Sequence, residues 1–202
     1  MTVKQIRQEQ ILNTLDRLRF ATRVQLQIIH KLGSDRNAHK VLRDMKEYVH
    51  IGNHYGKNVY YLNAEGRDWI GSEREMKWNL RVEHYLMRND VFIHYGCPKD
   101  WWTEREILIE PIGGEKKKIV PDATFLKEGK YHFLEVDRTQ SMAANKQKIE
   151  EYKNISPLMQ AEFGHKPVII FYTAKESREK KLRELCKIAG IEAVIYSVGD
   201  IN

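Results

Sequence analysis

The chain has 202 residues, 42% of them hydrophobic and 31% charged, and carries a formal net charge of +6. This gives a globular chain with enough apolar mass for one domain or two small ones, and its positive balance favours a polyanionic partner. No run approaches the ~20 consecutive apolar residues of a membrane-spanning helix, and the polar stretch from Gln5 to Gln10 does not read as a signal peptide. Cys97 and Cys186 alone cannot supply a disulfide framework, so a reduced, cytoplasmic setting is expected.

In chain order, Ile6, Ile11, Leu12, Leu15 and Leu18 recur at helical spacing and predict a first amphipathic helix from about Lys4 to Arg19. Thr22 is placed to cap a short second helix carrying Leu26, Ile29 and Leu32, which Gly33 ends, and Ser34 to cap a third. On the third helix Ala38, Val41, Leu42 and Met45 form one stripe, and Arg36, Asn37, His39, Lys40, Arg43 and Asp44 lie opposite. Arg reads guanine and Asn reads adenine in a major groove, while Lys holds phosphates, so Arg36, Asn37, Lys40 and Arg43 are the candidate DNA-contacting set. A solvated amphipathic helix has the same split.

Val49-His50-Ile51 and Asn58 to Leu62 predict two strands around Tyr55-Gly56-Lys57. Three helices and then a hairpin is the order of a winged helix-turn-helix, which adds Lys57 to the DNA-binding set. Asn63 caps a short helix through Trp69, and Gly71-Ser72 sets a domain boundary, giving a winged-helix domain over 1–72 and a second domain over 73–202.

The second domain opens with a helix predicted from Glu73 to about Asp90, with Met76, Leu80, Met87 and Val91 on one face and Glu83 and His84 beside them. Glu106 to Glu110 reads as a strand, and Gly113-Gly114-Glu115-Lys116-Lys117-Lys118 as an exposed loop within reach of a phosphate backbone. Trp101-Trp102 fills a core edge, with base stacking as the alternative. Ile119 to Asp137 then reads as two strands joined at Glu128-Gly129.

Pairing Lys127 with Lys130 across a two-residue turn sets Asp122 opposite Glu135. Because side chains alternate along a strand, Asp122, Glu135 and Asp137 share one face, and Ala123, Phe125, Leu134 and Val136 share the other. Directly opposed Cβ atoms sit roughly 4.5–5.5 Å apart, so facing carboxylates repel. A divalent cation reverses the sign of that repulsion, and hard oxygen ligands suit Mg²⁺ or Mn²⁺; the alternative is a splayed, solvated strand end. A helix from about Met142 to Met159, a buried strand Val168 to Tyr172, a helix from about Ser177 to Ala189 and a last strand Ala193 to Tyr196 complete a three-layer α/β sheet with right-handed crossovers.

From about Glu73 to Ile195, the order of elements with Pro121-Asp122 and Glu135-Val136-Asp137 resembles the PD-(D/E)xK nuclease-like fold. The resemblance implies that Asp122 and Glu135 are the two acids, that Glu83 is the acid contributed by the first helix, and that Lys148 and Tyr152 form a polar-xxx-Tyr helix motif. The sequence departs at Asp137, where the family carries the lysine that orients or activates the attacking water; Lys146, Lys148 or Arg138 are the candidate substitutes. The winged helix together with Val120-Pro121-Asp122-Ala123, Leu134 to Thr139 and Lys148-Ile149-Glu150-Glu151-Tyr152 is similar to the replication-relaxation family of plasmids and conjugative elements.

These expectations favour a DNA-binding accessory protein of a mobile element, with a relaxase or replication initiator as a protein partner and a homodimer as a possible form on duplex DNA. Asp137 in place of the lysine weighs against catalysis. The alternative is a Mg²⁺- or Mn²⁺-dependent endonuclease with Asp122, Glu135, Asp137 and Lys148 as its catalytic set and Glu83 as a further metal ligand. A third reading is a protein-interaction module built on a relic nuclease fold.

Overall fold

A computed structural model describes residues 1–110 and 116–201 of this mixed α/β chain. It divides into two compact units, Met1–Ile93 and His94–Asn202. Among the described residues no helix is long and apolar enough to cross a membrane.

In the first unit, α1 (Val3–Leu18), α2 (Arg23–Ile29) and α3 (Asp35–Arg43) are followed by a hairpin of β2 (Val49–His54) and β3 (Lys57–Leu62). A two-residue strand, β1 (Ala21–Thr22), adds to the outer side of β3. Thr22 and Ser34 cap α2 and α3 as their positions predict, each side chain accepting the backbone N–H three residues on. The helical stripes close one core: Ile11, Leu12 and Leu15 of α1 meet Leu26, Ala38, Leu42, Met45, Tyr60 and Leu62. Asn63 caps α4 (Ala64–Ile70), and Gly71, at φ +68°, ends it in the left-handed region.

The helix expected from Glu73 begins later, as α5 (Val82–His94). Trp78 docks on the hairpin instead, over Gly52, where a Cβ atom would lie 2.0 Å from the indole ring. Its ring also meets Phe20 edge-on, with centroids 6.0 Å apart. Asn79 then turns the chain ahead of the helix, its Oδ1 accepting Arg81 N–H at 2.8 Å. The stripe proposed for this helix is broken accordingly, and Leu80 is 91% exposed.

α5 is bolted to the first unit. Gln25 donates to Leu86 O at 2.8 Å and Asn89 to Phe20 O at 2.6 Å. The compact units therefore part after Ile93, not at Gly71-Ser72.

The second unit holds a five-stranded sheet in the order β10-β9-β8-β7-β4. Its strands are β4 (Trp102–Thr103), β7 (Ala123–Lys127), β8 (Lys130–Asp137), β9 (Val168–Thr173) and β10 (Ala193–Ser197). β7 and β8 pair antiparallel with Lys127 opposite Lys130, and β8, β9 and β10 run parallel. Glu128 and Gly129 take φ of +53° and +75°, the two positive values of a type I′ turn, so the register read from the sequence holds.

The crossover helices α6 (Met142–Phe163) and α7 (Glu176–Ala189) pack on one sheet face. Their Ile149, Tyr152, Ile155, Leu182 and Cys186 cluster with Phe133, Ile169, Phe171 and Ile195. The two crossovers thus supply a single helical layer, and the third layer of the expected arrangement does not come from them. On the other face Phe125 stacks between Trp101 and His132, at centroid distances of 5.2 and 5.0 Å, so Trp101 is a core residue.

The lysine run is not a loop throughout. Gly113, Gly114 and Glu115 lie outside the described residues, but Lys117 opens β6 (Lys117–Ile119), which pairs with β5 (Ile107–Ile109). Lys116 and Lys118 form ion pairs with Glu110 and Glu106. Their charge is balanced within the ribbon, whose Ile109 and Ile119 point into the α6 core.

Candidate functional site

On α3 the apolar stripe is buried, leaving Arg36, His39, Lys40 and Arg43 exposed. Arg36, Lys40 and Arg43 follow one another at helical spacing along one side. Among the described residues none of these three side chains donates a hydrogen bond or closes an ion pair.

Asn37 behaves differently. Its Nδ2 donates to Leu32 O at 2.7 Å, so the amide expected to read adenine holds the turn between α2 and α3. Asp35, next to the cationic row, is drawn away by Arg23 at 3.0 Å and by Gln27. Lys57 is exposed at the head of β3, opposite His54.

The acids lie in the other unit, where β8 faces α6. Asp122 stands just before β7, opposite Glu135. Its N–H donates to Leu134 O at 2.9 Å, and its Oδ2 accepts Val136 N–H at 2.7 Å. The carboxylate is thereby fixed beside the β8 backbone, between the two other acids.

Glu135 is 4% exposed. Asn145, Lys148 and Tyr152 recur on one face of α6, and two of them reach Glu135. The Tyr152 hydroxyl donates to Oε1, and Lys148 Nζ lies 3.2 Å from the same oxygen while donating to Val120 O at 3.2 Å. Burial, and then the charge of Asp122, push the Glu135 carboxyl up to about 8, against the opposing pull of Lys148 and Tyr152. The fully buried Tyr152 phenol is raised well above its ordinary value by desolvation and by Glu135. Lys148 thus reaches Glu135 from a helix.

Asp137 shares the face but not the site. It is 1% exposed and is gripped by Arg178, with Nε at 2.5 Å and a second guanidinium nitrogen at 2.7 Å. Asn145 donates to it at 2.9 Å and the Thr173 hydroxyl at 3.1 Å. Both its oxygens are thus occupied by donors from Arg178, Asn145 and Thr173. Arg178 and Asn145 were missed from sequence, because nothing local marks an arginine 41 residues away as a partner. Glu83, the other candidate metal ligand, is half-buried in the first turn of α5, within the first unit.

The donor set that remains for a cation is Asp122 and Glu135, close enough for one charge to raise the other's pKa. Among the described residues no group of three or more acids, histidines or cysteines converges on one point. Two carboxylates fit Mg²⁺ or Mn²⁺, which keep several waters and complete their shell with substrate phosphates.

A model of the family described as replication-relaxation matches residues 12–169. Among solved structures, that of protein VC1899 from Vibrio cholerae aligns with a TM-score of 0.41 and 12% identity, covering 96% of this chain and 53% of that one. This chain therefore spans about half the length of that protein, and the likeness is too loose to inform function. A search of curated proteins gives no match.

Proposed function

The chain belongs to the replication-relaxation family, and on that premise we propose that it is a duplex-DNA-binding accessory protein of a plasmid or other mobile element, acting in replication or in DNA relaxation and transfer. In this reading the first unit is a winged helix-turn-helix and the second a PD-(D/E)xK-like domain. The carrying observation is the exposed row Arg36, Lys40 and Arg43 on a helix whose opposite side is locked into the core. Three exposed cations at this spacing suit the edge and backbone of a major groove, where Arg reads guanine and Lys holds phosphate. Lys57 extends the cationic surface to the hairpin. The second unit serves DNA or a protein partner such as a relaxase or replication initiator. Gel shifts with fragments of the element's origin region test this: binding is expected to weaken steeply with salt, and a folded protein that binds none of them refutes it.

A second reading, a metal-dependent DNA endonuclease, is favoured by the seat of Lys148 on Glu135. Asp122 and Glu135 would hold Mg²⁺ or Mn²⁺, which when bound supplies an activated water and charge stabilisation at phosphorus. Lys148 stands at the Glu135 edge of the site, and Tyr152 fixes the Glu135 side chain in orientation. Cleavage of supercoiled and branched DNA by the wild type, lost in Asp122→Ala, supports this reading; activity unchanged in Asp122→Ala rejects the site.

A further inference from the structure

The β2–β3 hairpin presents an aromatic ring in an uncommon way. Tyr55 is 84% exposed. It occupies the first central position of a type I′ turn at φ +48°, followed by Gly56 at +76°. That position favours Asn, Asp or Gly, and a bulky residue there is disfavoured both by its backbone and by its exposed ring. Glu128 accepts the same backbone in the β7–β8 turn, but a solvated carboxylate carries no penalty of apolar exposure. Residues held in sparsely populated backbone regions cluster at functional sites, ligand clamps among them.

The hairpin beneath Tyr55 is built to hold still. Asn53 Oδ1 accepts Gly56 N–H at 3.1 Å, closing the turn. His54 stands against the Tyr55 ring, with centroids 4.5 Å apart and planes at 61°. Lower down, Trp78 lies on Gly52 in a space that any larger residue would fill. The tip combines the exposed Tyr55 ring with the adjoining His54 imidazole and the exposed Lys57 at the head of β3. That chemistry fits a nucleobase face next to phosphates: stacking on the ring does not depend on sequence, and the lysine answers the backbone.

We propose that Tyr55 inserts its ring at a base step of the bound duplex and locally unstacks it, so that the protein distorts the DNA it binds. This rests on the reading of the first unit as a DNA-binding unit and adds to it an activity that the α3 row cannot perform. Insertion is favoured at flexible pyrimidine–purine steps, which unstack most readily.

The test uses the full chain and mixed-sequence duplexes carrying 2-aminopurine at a TA or CA step, whose fluorescence rises on unstacking. The wild type is expected to raise the fluorescence, Tyr55→Phe to retain the rise, and Tyr55→Asn to abolish it. Tyr55→Asn is also expected to weaken binding by about fivefold or more, with an unchanged salt slope because no charge is lost. Its Tm stays level or rises, since Asn suits the turn. That combination separates a DNA contact from a structural role. Wild-type affinity and fluorescence in Tyr55→Asn overturn the inference. If that variant binds normally while a variant lacking Arg36, Lys40 and Arg43 does not bind, only the inference falls; if both bind normally, the DNA-binding reading falls with it.

Discussion

Replacing Glu135 with Gln removes a charge that the fold holds at a disadvantage. The carboxyl is raised from 4.5 to about 8, chiefly by burial and next by Asp122. A carboxyl whose folded pKa exceeds its unfolded value keeps its proton longer in the native state. Its contribution to stability is complete below pH 4.5 and is lost as pH rises through about 8. At ~1.4 kcal/mol per pH unit, the interval sets a ceiling of about 5 kcal/mol on that loss. Gln keeps the acceptor oxygen for Tyr152 and Lys148 and does not ionise. Urea unfolding of both proteins at pH 4.5, 6, 7.5 and 9, with chelator present, is the assay. The two are expected to be nearly equally stable at pH 4.5, with Gln the more stable by about 1–5 kcal/mol at pH 9. A stability difference independent of pH would refute the reasoning.

Three further outcomes follow from the same geometry. Arg178→Ala leaves Asp137 charged and buried and is expected to cost about 3–5 kcal/mol in urea unfolding; the double variant Asp137→Asn, Arg178→Met should recover a large part of it. Gly52→Ala places a methyl group into the Trp78 ring and should cost about 1–3 kcal/mol by overpacking, with Trp78→Ala relieving the loss in the double variant. Millimolar Mg²⁺ or Mn²⁺ should raise the wild-type Tm at pH 7.5, because a ligand that binds only the native state stabilises it, and should leave Asp122→Asn unmoved.

Local signals in the sequence proved readable where one residue type decides the backbone. Thr22, Ser34 and Asn63 start their helices because a short oxygen-bearing side chain there satisfies an orphan N–H. Glu128-Gly129 fixed the pairing of β7 with β8, and with it Asp122 opposite Glu135. Lys148 was within reach because helix spacing puts it one turn from Tyr152. What escaped depended on distant partners. Residues 73–79 carry helical spacing, yet Trp78 docks on the hairpin over Gly52 and against Phe20. Lys117 reads as loop until β5 supplies a strand to pair with and Glu106 and Glu110 balance the neighbouring lysines. Asp137 reads as a third acid beside Asp122 and Glu135 until Arg178 arrives from α7.

Duplex binding by the α3 row can be measured directly by fluorescence anisotropy on an origin-region duplex over a range of salt, comparing wild type with the Arg36→Ala, Lys40→Ala, Arg43→Ala triple variant. Loss of the three cations predicts weaker binding and a log–log salt slope shallower by about 1 for each one that neutralises a phosphate, with no change in Tm beyond about 2 °C because all three side chains are exposed. A folded triple variant with the wild-type affinity and slope would contradict the account.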